Sequence, residues 1–189
     1  MKTLVEKDLD TVIDNFMSLK LQSDVISKIA NICIEALKNG CKIVFCGNGG
    51  SAADSQHLAS ELVGKYKLNR KAYNAIALTT DTSLLTAVGN DLGFERIFER
   101  QIEGLCQKGD VLIALSTSGT SPNIVCAVAK AKAIGMTSIL LTGASEKKAV
   151  CNADIVLKTP SCITNNIQEM HIAVGHIVCD YIEKNMEKV

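Results

Sequence analysis

The chain has 189 residues, 47% of them hydrophobic and 21% charged, with 20 basic and 20 acidic side chains that cancel. That balance excludes a disordered chain, which would be poor in apolar residues and dominated by one sign of charge. It also argues against a nucleic-acid partner held by bulk positive charge. No apolar run approaches the roughly 20 residues of a membrane span, and MKTLVEKDLD at the N-terminus is charged from the start, unlike a signal-peptide core. One domain over 1–189 is expected. A cytoplasmic location is expected too, with neither nucleic acid nor membrane as partner. The eight cysteines, at 33, 41, 46, 106, 126, 151, 162 and 179, contain no CxxC pair. They read as small hydrophobes in apolar runs, not as a zinc knuckle or a disulfide framework.

In chain order, the first 40 residues predict two helices. Leu4, Val5, Leu9, Val12, Ile13, Phe16 and Met17 recur at helical spacing, and a second stripe runs through Val25, Ile26, Ile29, Ile32 and Leu37. Asn39-Gly40 predicts the C-cap. Beyond Gly40 short β-rich runs alternate with helical segments. The strand candidates are 42–46, 73–78, 110–115, 137–141 and 153–157, all near-continuously apolar, as strands buried on both faces are. A last helix is predicted over 165–186, through Ile167, Met170, Val174, Ile177, Val178, Tyr181 and Ile182. The βαβ rhythm predicts an α/β fold: three layers and a doubly wound, five-stranded parallel sheet of flavodoxin-like type, preceded by two helices. The extension 1–40 either packs on its own sheet or serves as an oligomerisation surface.

Ligands of such sheets bind beyond the carboxyl ends of the strands. Two of these ends are unusual. In CGNGGSAADSQHLASEL (46–62) a strand runs into three glycines and an Asn, and Ser51 is expected to open a helix whose free N–H groups face an anion. A dinucleotide fingerprint would need GxGxxG and an acidic residue after the second strand. This chain has GNGGSA and Leu78-Thr79-Thr80. In ALSTSGTSPN (114–123) the strand is followed by Ser116, Thr117, Ser118, Thr120 and Ser121, with Pro122 at a first helical position. Five hydroxyls exceed what capping requires and predict a phosphate cradle built without Lys or Arg. His57 and Glu61, four residues apart, share a helix face behind the glycine turn. Gln168, His171 and His176 fall in the last helix, where a lone histidine is ordinarily a core residue.

Four segments, CGNGGSAADSQHLASEL, ALTTDTSLLTAVGNDLGFERIFERQ, ALSTSGTSPN and NIQEMHIAVGHIVCD, together resemble in order and spacing the phosphoheptose isomerases of the sugar-isomerase (SIS) fold. The resemblance covers nearly the whole chain. It implies conversion of D-sedoheptulose 7-phosphate to D-glycero-D-manno-heptose 7-phosphate, a first step toward nucleotide-activated heptose for lipopolysaccharide, capsule or surface glycan. It also implies a homotetramer with sites at subunit interfaces, and zinc. Carried over by motif, Asn48, Gly49, Gly50, Ser51, Asn90 and Asp91 would line the sugar site, with Ser116, Thr117, Ser118 and Ser121 at the phosphate. His57, Glu61, Gln168 and His176 would be metal ligands. Glu61 and His176 would also be the catalytic pair, and Glu61 and Gln168 would touch substrate. The family usually has Arg where this chain has Lys65 and Asn166. Gln168 and His176 stand eight residues apart, about 12 Å of helix rise, far for one ion on a straight helix. The alternatives are a non-catalytic SIS tetramer that binds the replication initiator, or an isomerase for another sugar phosphate.

Overall fold

Five apolar runs form the sheet of the computed structural model, which describes residues 1–144 and 152–186; Cys151 lies outside them. They are β1 (Ile43–Gly47), β2 (Ala75–Ala77), β3 (Val111–Leu115), β4 (Thr137–Thr142) and β5 (Ile155–Lys158). The order is β2-β1-β3-β4-β5 and every neighbouring pair is parallel. The helices are α1 (Lys2–Leu19), α2 (Ser23–Lys38), α3 (Gly50–Val63), α4 (Thr82–Asp91), α5 (Ile97–Leu105), α6 (Pro122–Ala133) and α7 (Thr164–Met186).

Side chains alternate across the pleat and divide the interior into two cores. Ile43, Phe45, Ile113, Leu115, Ile139 and Leu141 face Ile26 and Ile29 of α2, Leu58 and Leu62 of α3, and Met170, Val174 and Val178 of α7. Val44, Cys46, Leu112, Ala114 and Leu140 face Phe98 and Ile102 of α5 and Ile124, Ala127 and Val128 of α6. This is the three-layer, doubly wound arrangement that the rhythm of the sequence predicts.

Two expectations change in detail. The second strand is shorter than 73–78, because the buried Tyr73 gives its N–H to the Leu62 carbonyl at the end of α3, and ladder pairing with β1 starts only at Ala75. The two leading helices also part company. Helix α2 ends at Asn39 with Gly40 at φ +75°, the left-handed cap that Gly adopts without strain, and its apolar face enters the core. Helix α1 buries Leu19, while Leu4, Val5, Leu9, Ile13 and Met17 are more than half exposed. Among the described residues no helix is long and apolar enough to cross a membrane.

Candidate active site

The strand order reverses between β1 and β3, and their C-terminal residues Gly47 and Leu115 lie opposite each other in register. The two unusual loops therefore emerge side by side at the topological switch point, where open α/β sheets bind ligands. Asn48 and Asn123 tie them together through reciprocal amide bonds of 2.9 and 2.8 Å. Both ends of the Asn48 amide are engaged in that tie. The chain turns sharply here. A Cβ on Gly47 would lie 2.5 Å from the Ser51 carbonyl oxygen, and Gly49 has φ +55°. Helix α3 opens at Gly50, one residue before the expected Ser51.

The 116–121 loop is shaped by its own hydroxyls. Ser116 Oγ accepts from Gly119 N at 3.2 Å and lies 3.4 Å from Ser121 Oγ. Ser118 Oγ accepts from the N–H and the hydroxyl of Thr120, each at 3.2 Å. Ser121 is the N-cap of α6, yet its hydroxyl makes no capping bond, and Pro122 takes the first helical position. The uncapped start of α6 thus presents a hydroxyl and the positive end of a helix dipole to an anion.

Helices α3 and α7 run side by side in the same direction. The close approach depends on Gly175, where a Cβ would sit 2.4 Å from a methyl of Leu58. Their contact brings together residues 119 apart: His57 Nε2 lies 2.9 Å from His176 Nε2 and 3.2 Å from Glu61 Oε1. One donor atom from each of the three lies within 4.8 Å of the others. One ring can donate its Nε2–H to the other, the tautomer deciding which, and the three donor atoms lie close enough together to hold a metal ion. Zn–N and Zn–O bonds of about 2.0–2.1 Å set ligand atoms on a tetrahedron about 3.3 Å apart, and the His57–Glu61 spacing already matches. The donor set fits a divalent metal.

Three neighbours escape the spacing of the sequence. Asp54, one turn before His57, has a buried Oδ2 with no hydrogen-bond partner among the described residues; burial raises its pKa, while His57 and His176 oppose the rise. The Tyr66 ring stacks on His176 at 6.0 Å between centroids. Arg70 donates to the Glu61 carbonyl at 2.8 Å. Gln168 lies about two turns before the His–Glu–His group, its amide against Gly50, where a Cβ would meet it at 2.7 Å. Helix α7 is unbroken from Thr164 to Met186, so Gln168 and His176 keep their separation. Asn90 and Asp91 bond to each other at 2.7 Å at the exposed end of α4. His171 is fully buried and neither ring nitrogen has a hydrogen-bond partner among the described residues.

Residues 9–143 match the SIS domain family. A phosphoheptose isomerase of Akkermansia muciniphila is 54% identical over 188 residues, covering 98% of both chains. The chain belongs to the phosphoheptose isomerase family of SIS-domain proteins. A relative of the same name from Nitratiruptor is 57% identical over 156 residues, 82% of each chain. The solved phosphoheptose isomerase of Neisseria gonorrhoeae superposes with a TM-score of 0.90 at 39% identity, covering 97% of this chain and 98% of that one. That of Francisella tularensis gives 0.91 at 35% identity, covering 97% and 100%.

Proposed function

We propose that this phosphoheptose isomerase family member converts D-sedoheptulose 7-phosphate to D-glycero-D-manno-heptose 7-phosphate in the cytoplasm, feeding nucleotide-activated heptose into surface glycans. The observation that carries the reading is the convergence of Glu61 and His176 within 4.8 Å of each other, in a fold that also brings the hydroxyl loop to the switch point. Isomerisation needs a base for a carbon-bound proton and a group that moves a proton between two oxygens. The Glu61 carboxylate takes the C1 proton and returns it at C2. His176 Nε2 exchanges a proton with the oxygens of the enediol; the same two residue types serve in triosephosphate isomerase. Ser116, Thr117, Ser118 and Ser121 receive the phosphate, whose remote binding energy holds C1 and C2 over the carboxylate. Gly49, Gly50 and Ser51 form the wall of the sugar site, Asn48 locks it to α6, and Gln168 meets the substrate beside Gly50.

His57, Glu61 and His176 would hold zinc from this chain, while Gln168, about two turns before His176 on the unbroken α7, would serve the site of another copy of the chain. When bound, the ion supplies Lewis-acid stabilisation of the developing oxyanion. The exposed stripe of α1 would be covered by further copies of the chain in a tetramer. Asn90 and Asp91, remote from the trio on α4, would contact the substrate in such an assembly. The alternatives are not favoured: relatives at about half identity carry the isomerase name, and a pure binding protein gains nothing from the His–Glu–His convergence. The test is turnover of a panel of phosphorylated ketoses, with and without a chelator. Sedoheptulose 7-phosphate should be preferred, and Glu61→Gln and His176→Gln should each abolish conversion. Unchanged turnover in both variants refutes the mechanism.

A further inference from the structure

We propose that the buried Arg70–Glu183 ion pair is a positioning device that sets Glu61 against His176. The inference rests on the functional reading above. Arg70 lies in the connection from α3 to β2 and Glu183 on α7; Nε meets Oε1 at 2.9 Å, with the side chains 1% and 2% exposed. Burying such a pair is a poor route to stability, since apolar residues of the same volume commonly do as well or better. Where its remaining bonds end shows what it holds.

The guanidinium donates from Nη2 to the Glu61 carbonyl at 2.8 Å, and from Nη1 to the carbonyls of Leu62 at 3.0 Å and Lys71 at 2.9 Å. The Glu61 and Leu62 carbonyls belong to the last turn of α3, which has no helical donors left for them. Arg70 thus grips the backbone of the proposed base itself. Its own plane rests on Tyr73, 3.9 Å from the ring centroid. On the other side, Glu183 Oε2 accepts the N–H groups of Lys67 at 3.0 Å and Leu68 at 3.1 Å. That holds in place the segment whose Tyr66 ring stacks on His176. Glu183 stands seven residues, about two turns, beyond His176 on the same helix. One ion pair therefore fixes the end of α3 that carries Glu61, the helix that carries His176, and the ring beside it. A misplacement of about 1 Å at reacting groups costs on the order of 100-fold in rate.

The test compares Arg70→Lys and Glu183→Gln with wild type in kcat, KM, thermal midpoint and affinity for Co2+ read from its visible spectrum. A lysine keeps the charge but cannot serve three carbonyls and a carboxylate at once. The expected result in folded variants is a fall in kcat of about 10- to 100-fold, KM within about twofold, and Co2+ binding weakened in parallel with an altered spectrum. A lower thermal midpoint with kcat and Co2+ binding as in wild type would overturn the proposal, because the pair would then serve the fold alone. If Arg70→Lys does not fold, Glu183→Gln, which keeps the shape of the side chain, is judged by the same readouts. Absence of wild-type turnover would count against the functional reading, while the Co2+ measurements still decide on the ion pair.

Discussion

Lowering the pH should expose the strain carried by His171. The imidazole is completely buried, and burial brings its pKa down from 6.5 to about 4. The Thr142 carbonyl favours protonation, yet it already accepts from Thr159 N at 2.8 Å and Thr159 Oγ1 at 3.1 Å, and burial wins. The ring stays neutral in the native state while the unfolded chain takes up a proton. Stability is therefore complete above pH 6.5, falls as the pH drops through that value, and levels off below about 4. At 1.36 kcal/mol per pKa unit the loss is about 2 kcal/mol by pH 5 and about 3 kcal/mol by pH 4. The effect is isolated by comparison with His171→Met. Urea denaturation at fixed protein concentration across pH 8 to 4 measures it. The stability difference between wild type and His171→Met should shift by these amounts in favour of the variant as the pH falls. A difference that stays constant across the range would refute the reasoning.

Gly175→Ala would press a methyl into Leu58, buried at 1%. It should destabilise the protein by about 1–3 kcal/mol and lower kcat by separating α3 from α7; chemical denaturation and steady-state kinetics check this. Gly50→Ala first meets the flexible end of Gln168, so the thermal midpoint should hold within about 2 °C while KM for the sugar phosphate rises several-fold. Among the described cysteines, a thiol reagent in native buffer should label the exposed Cys162 first. It should spare Cys179, whose thiol burial pushes up to about 12, and Cys33, raised further by the same cause; mass spectrometry of partially labelled protein tests the order.

The sheet was legible because strands covered on both faces must be apolar throughout, and Ile43–Gly47 and Val111–Leu115 are buried at every position. The glycine turn and the hydroxyl loop were legible because their composition exceeds what a turn or a cap needs. His57 and Glu61 announced themselves by helical spacing. His176 did not: it is 119 residues away, and only the resemblance joined it to them before the packing of α3 on α7 did so in space. Arg70 and Glu183, 113 residues apart, had no local pattern at all, since a buried ion pair looks like any two surface charges in one dimension. Nor could periodicity separate α1 from α2. Both carry an apolar stripe, and only the folded chain shows that the stripe of α2 is covered and much of that of α1 is open.

The central claim is that Glu61 and His176, joined by the contact of α3 and α7, transfer the protons of an aldose–ketose isomerisation. The most direct measurement follows sedoheptulose 7-phosphate by proton NMR in the presence of wild type, Glu61→Gln and His176→Gln, each shown to be folded. The account predicts conversion to the aldoheptose phosphate by wild type and none above background by either variant. Conversion at the wild-type rate by both folded variants would contradict it.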